Sequence, residues 1–181
     1  MKTFKKSCLT VVLFVATAAS VFAQEAAKPA PKEKASPAQV ADGTINGATV
    51  QIKYSSPAVK GRKIWGELVP TDSVWRAGAN EATTFETDKP LRIQGKTLPA
   101  GKYSLYAQTG AAEWKIIFNA EVGQWGIKRG GLTTRVPEKD VVVVTTKPTK
   151  SKTFNERLVY TITGKGFDLS WENLTVPVTF K

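Results

Sequence analysis

The feature that most limits what this chain can fold into is the shortness of its apolar runs, each of which ends in a turn signal within a few residues. Val50, Ile52 and Tyr54 alternate with Thr49, Gln51 and Lys53, giving one dry face and one wet face. Asn46-Gly47 separates that run from Thr44-Ile45, and this dipeptide is the strongest short-range hairpin signal. Further runs cover residues 73–77 and 82–87 around Gly78, then 91–94 with a turn at Gly95-Lys96, then 102–108, 113–119 and 140–146. Val141 to Val144 within the last of these predicts burial on both faces. Residues 156–163, 167–172 and 175–180 finish the chain, with Gly164-Lys165-Gly166 and Asn173-Leu174 as turns. No stretch keeps an apolar period of 3.6 over three turns, and the one long connection, residues 120–139, carries Gly123, Gly126, Gly130 and Gly131. The pattern predicts an all-β fold, an antiparallel β-sandwich of about ten short strands, jelly-roll or immunoglobulin-like. Tyr103, following Leu98-Pro99-Ala100-Gly101-Lys102, is placed to tie its hydroxyl back to the preceding turn, as in a tyrosine corner.

The N-terminus has a different texture. Lys2, Lys5 and Lys6 precede an apolar run too short to span a bilayer, and Val21-Phe22-Ala23 supplies the small residues of a cleavage point. Residues 1–23 therefore read as a signal peptide, and Cys8 precedes the apolar run instead of ending it, which argues against a lipidated cysteine. Residues 24–38 (QEAAKPAPKEKASPA) hold almost no bulky apolar side chain and read as a disordered tether, leaving residues 39–181 as a single domain.

Cleavage after Ala23 leaves 158 residues, removes the only Cys and lowers the formal charge from +11 to +8. Such a product forms no disulfide and holds no thiolate metal site, and with no His anywhere it lacks the imidazole base and ligand as well. The expectation is an exported protein, periplasmic or secreted, with no membrane span in the mature chain and no cofactor or metal. The basic charge is scattered among strands and turns, so a solvated surface is expected in place of a nucleic-acid footprint.

Several stretches carry a resemblance when taken in order. They are Tyr54-Ser55-Ser56-Pro57, Lys60-Gly61-Arg62-Lys63-Ile64-Trp65-Gly66, Leu68-Val69-Pro70, and Val74-Trp75-Arg76-Ala77-Gly78-Ala79-Asn80-Glu81-Ala82-Thr83. Leu98 to Tyr103, Glu113-Trp114-Lys115-Ile116-Ile117-Phe118-Asn119 and Leu169-Ser170-Trp171-Glu172 complete the set. The chain resembles the bacterial exported family known as domain of unknown function 2911 from Ser36 to Phe180. The resemblance implies an exported, all-β, single-domain protein of a Bacteroidetes-like bacterium. It implies no activity and carries over no catalytic residue.

Candidate chemistry therefore comes from the residues themselves. Arg76, Asn80 and Glu81 surround Gly78, where the backbone can take a conformation closed to other residues, and a planar guanidinium suits carboxylate, phosphate or sugar hydroxyls. The bland alternative is a self-satisfied network in which Glu81 pairs with Arg76 or Arg62. Gly61 and Gly66 let a tight loop present Arg62 beside Trp65, and Trp65 or Trp75 could stack on a ligand. Trp114 and Trp171 share faces with Ile116 and Leu169 and read as core, whereas Trp125, in the Gly-rich connection, reads as a lid, a platform or a plug. Glu81, alone or with Glu67 or Glu86, is the weak candidate for acid or base catalysis.

The expected function is a binding module for a polar glycan or small anionic ligand, through Arg62, Trp65, Trp75, Arg76, Asn80 and Glu81. The alternatives are a hydrolase-type enzyme using Glu81, and a structural or accessory protein of the cell envelope that binds another protein. Intact-mass measurement of the exported product is expected to give a chain starting at Gln24; a product retaining Met1 contradicts the leader reading.

Overall fold

A computed structural model describes residues 34–181, so the expected signal peptide and most of the expected tether lie outside the described residues. Eleven strands follow one another: β1 (Ala38–Ile45), β2 (Ala48–Ser55), β3 (Val74–Trp75), β4 (Thr84–Thr87), β5 (Leu91–Ile93), β6 (Lys96–Leu98), β7 (Gly101–Gln108), β8 (Trp114–Asn119), β9 (Asp140–Thr146), β10 (Thr149–Thr163) and β11 (Gly166–Thr179). A single 3₁₀ turn, Pro137–Lys139, is the one helical element among the described residues. All pairings between named strands are antiparallel.

Seven strands form one sheet in the order β1-β2-β4-β7-β8-β9, with β3 also paired to β7. β10 and β11 form a long hairpin, and β5 and β6 a short one. The inward residues of the large sheet, among them Ile52, Phe85, Leu105, Ile116 and Phe118, are buried together with Tyr160, Phe167, Leu169, Trp171 and Phe180 of the long hairpin and its end. Phe85 stacks on Phe180 at 6.0 Å and meets Phe118 edge-on at 5.2 Å, while Tyr54 meets Tyr160 edge-on at 4.9 Å. The Phe85–Phe180 and Tyr54–Tyr160 pairs join the two layers into a sandwich, each ring adding large buried area and a directional contact.

The turns explain themselves locally. Asn46 and Gly47 both adopt positive φ, as a two-residue turn matched to strand twist requires. The β5–β6 turn uses Gln94 and Gly95, one residue earlier than Gly95-Lys96, because Ile93 pairs with Lys96 and leaves those two as the positive-φ loop. The Tyr103 hydroxyl donates to the Pro99 carbonyl at 2.9 Å, so the expected tyrosine corner is formed. Asn173-Leu174 is no turn: β11 runs straight through it, and the irregularity is a shift of register against β10, with Glu172 at φ 54°. In β9, Val142 and Val144 are buried, but Val141 is exposed and Val143 only half-buried, since this is an edge strand. That edge is blunted by side chains, for Gln94 Oε1 accepts from the Thr145 N–H at 3.1 Å and Lys96 Nζ donates to the Val143 carbonyl at 2.6 Å.

The β10–β11 turn supplies a sharp stability test. A Cβ at Gly166 would overlap the Val178 carbonyl oxygen, whereas a Cβ at Gly164 meets nothing within 4 Å. Gly166→Ala is expected to cost more than about 3 kcal/mol in denaturant unfolding, and Gly164→Ala to stay within about 0.5 kcal/mol. Equal effects of the two substitutions would contradict this packing.

Candidate functional site

β3 and β4 lie end to end along the same edge of β7, with Trp75 opposite Ala107 and Thr84 opposite Ser104. Residues 76–83 are therefore the interruption of one strand, thrown out of the sheet as a loop. Ala77 and Asn80 carry its positive φ values, 50° and 56°. Gly78 does not: its role is close approach, because a Cβ there would come within 2.6 Å of Thr83 Oγ1 and 3.3 Å of the Ser55 carbonyl oxygen. Two hydroxyls, Thr83 Oγ1 and Tyr160, donate to the Ala77 carbonyl at 3.0 and 2.8 Å, and the Ala79 and Ala82 N–H groups donate to Ser55 and Gln124 carbonyls. Such fastening sustains a strained backbone that would otherwise relax.

The long connection crosses the outer face of the large sheet and meets this loop. Its start is held by Ser104 Oγ donating to the Glu121 carbonyl and the Tyr106 hydroxyl donating to Gln124 Oε1. Its end is held by Asn119 Nδ2 donating to the Val136 carbonyl and by the ion pair of Arg135 with Asp140, which raises the Arg135 pKa further. Between those ends Gly126, at φ 86°, presses on Arg76, where an added Cβ would lie 2.7 Å from the Arg76 Cβ. Arg76 Nη1 donates to the Trp125 carbonyl at 3.1 Å, and its guanidinium lies 5.6 Å from the centre of the Trp125 ring, a cation–π arrangement. Trp125 is 51% exposed and serves as a platform for Arg76.

An open cleft of about 270 Å³ lies where the loop, the connection and the end of the hairpin meet. Arg62, Arg76 and Thr133 supply much of its polar lining, Leu68, Val69, Val74 and Ile127 its apolar walls, and Trp75 and Trp171 its aromatic surface. Trp75 stacks on Trp171 at 6.1 Å, and Trp65 lies edge-on to both and to Trp114. Among the described residues the buried indole N–H groups of Trp65, Trp75 and Trp171 have no hydrogen-bond partner. An orphaned buried donor costs about 1–3 kcal/mol, which marks these groups as unusual for a settled core.

Neither arginine has a carboxylate within ion-pair distance among the described residues. Arg62 donates Nε to the Val59 carbonyl at 3.0 Å and Nη2 to the Ala58 carbonyl, which folds it against its own loop. Burial lowers the Arg76 pKa from its ordinary value, with the charge of Glu81 opposing that shift.

Of the residues singled out from sequence, Arg62, Trp75 and Arg76 come together in the cleft, and Trp65 packs behind its tryptophans. Asn80 and Glu81 face elsewhere. Asn80 Nδ2 donates to the Ser36 carbonyl at 3.0 Å, and Glu81 forms an exposed ion pair with Lys34 at 2.9 Å. With the Ser56 N–H donating to the Pro37 carbonyl, they fasten residues 34–37 along the rim, so the end of the expected tether lies on the domain. The hydrogen bond from Lys34 holds the Glu81 carboxyl below its ordinary pKa. Glu67 pairs with Lys63 at 3.3 Å, and Glu86 is exposed opposite Gln51 and Lys102 in the sheet. Trp171, Thr133 and Gly126 were not legible as site residues. Trp171 is 2% exposed and alternates as core does, and only the three-dimensional cleft reveals its unmatched donor.

Residues 36–180 match the family described as "Protein of unknown function (DUF2911)". No curated protein and no solved structure matches the chain.

Glu81→Gln is expected to lower stability by no more than about 1 kcal/mol at neutral pH, since both partners are exposed. A lowered carboxyl pKa stabilises the fold above the unfolded carboxylate value and loses that contribution as pH falls through the folded value. Chemical denaturation at pH 7 and at acid pH, in low and high salt, should show the wild-type advantage only at pH 7 and low salt. A large, salt-insensitive loss would contradict a surface pair.

Proposed function

The chain belongs to the DUF2911 family, and from the chemistry of its cleft we propose that it is an exported binding module for a polar glycan end or small anionic ligand. The observation that carries this reading is the meeting of two guanidiniums, free of carboxylate partners among the described residues, in one open cleft beside Trp75 and Trp171. A bound anion would accept from donors that the protein leaves unused, in surroundings where charge-assisted hydrogen bonds are about twice as strong as neutral ones. The scaffold favours binding over turnover. Arg76 is clamped between Gly126 and Trp125, so the donors are held in place before a ligand arrives, which reduces the entropy cost of association.

An acid–base role for Glu81 finds less support. Its carboxyl pairs with Lys34 on the surface and does not line the cleft. Export rests on the leader pattern of residues 1–23 and suits a module that meets its ligand outside the cytoplasm.

A thermal-shift screen of the exported chain against acidic and neutral oligosaccharides, phosphorylated sugars and dicarboxylates tests the reading, with Arg76→Ala in parallel. A ligand at 100-fold its Kd is expected to stabilise the protein by about 2.7 kcal/mol, and Arg76→Ala to abolish the shift. No shift with any compound, together with an Arg76→Ala protein that is merely less stable, would make the cluster a structural network.

A further inference from the structure

The polar equipment of the cleft is lopsided. Apart from the hydroxyls of Ser36 and Thr133, each polar side chain lining it only donates: the guanidiniums of Arg62 and Arg76 and the indoles of Trp75 and Trp171. Among the described residues no carboxylate and no side-chain amide lines it. Four of the backbone acceptors along it are engaged as well. The Arg76 carbonyl takes the Thr83 N–H, the Gly126 carbonyl takes the Thr134 N–H, the Val69 carbonyl takes the Gly66 N–H, and the Ser36 carbonyl takes the Asn80 amide. Opposite this donor set stand apolar walls, Leu68, Val69, Val74 and Ile127.

This inventory discriminates among ligands. A sugar hydroxyl donates as well as accepts, and in this cleft its proton would meet no side-chain carboxylate or amide, so fewer of its hydrogen bonds are compensated than those of an acceptor-only group. A bare inorganic anion would satisfy the donors and leave the apolar walls in water. A ligand that accepts without donating, and that carries an apolar body, meets both halves of the site.

Resting on the small-anion half of the binding reading above, we infer that the cleft takes a carboxylic acid with an apolar body in preference to a glycan. Its carboxylate lies against the Arg62 and Arg76 guanidiniums, with its body against Leu68, Val69, Val74 and Ile127. Trp75 and Trp171 line the same cleft, so their fluorescence reports on a bound ligand.

Cyclohexanecarboxylate and galacturonate form a matched pair of probes, because both present a carboxylate on a six-membered ring and differ chiefly in the hydroxyls. Their dissociation constants can be read from tryptophan fluorescence of the exported chain, with cyclohexanecarboxamide and inorganic phosphate as controls. Cyclohexanecarboxylate is expected to bind at least ten-fold tighter than the other three. Arg76→Lys, which keeps the charge and removes the fork, should weaken it at least ten-fold, and Arg62→Gln should weaken it too. Galacturonate binding as tightly as cyclohexanecarboxylate, or phosphate binding tighter, would overturn the apolar-acid assignment while leaving an anion-binding module standing. Silence from all four probes alongside a hit from a neutral glycan in the broader screen would overturn the assignment alone. Silence in both experiments would overturn the binding reading with it.

Discussion

The contact between the β10–β11 hairpin and the inner face of the seven-stranded sheet is the interaction on which the rest of the molecule depends. The sheet alone would leave Ile52, Phe85, Leu105, Ile116 and Phe118 against water, and the hairpin alone would leave Tyr160, Phe167, Leu169 and Trp171 the same way. An isolated hairpin is marginal in water, so each layer requires the other. Because the hairpin is long, its aromatic row extends from the Phe85–Phe167–Phe180 group to the cluster of Trp65, Trp75, Trp114 and Trp171. The core and the candidate site are thus two ends of one packed layer.

That continuity explains how the fold comes to offer a shaped cleft. The strand that would fill the edge of β7 is broken at residues 76–83, and the break leaves Trp75 on the sheet while carrying Arg76 outward. The Gly-rich connection then covers the outer face of the sheet and meets the break through Gly126 and Trp125. Loops set on a rigid two-layer scaffold are a common place for recognition, and here both loops are tied down by hydrogen bonds at several points.

Much of this was legible residue by residue. Period-two alternation located most strands, Asn46-Gly47 placed the first hairpin, and the Pro99–Tyr103 spacing anticipated a hydrogen bond that forms. The misreadings share a cause. Asn173-Leu174 has turn character, yet pairing of β11 along the full length of β10 outweighs that local preference, and Glu172 absorbs the mismatch. Asn80 and Glu81 were grouped with Arg76 because they are neighbours in sequence, whereas their partners, Ser36 and Lys34, lie more than 40 residues away along the chain. Local patterning specifies strands and turns well. It does not specify which side of a bulged loop each side chain will face, and it gives no sign of a buried donor left without an acceptor.

The central claim is that the guanidiniums of Arg62 and Arg76 await the carboxylate of an acidic ligand in a cleft whose aromatic surface is Trp75 and Trp171. The ¹H–¹⁵N spectrum of the tryptophan side chains reads this directly, with each signal assigned by Trp→Phe substitution. On titration with cyclohexanecarboxylate the account predicts that the Trp75 and Trp171 indole signals shift as the cleft fills, that the Trp114 signal moves least, and that Arg76→Lys weakens the response at least ten-fold. Saturable binding that leaves the Trp75 and Trp171 signals unmoved would contradict it.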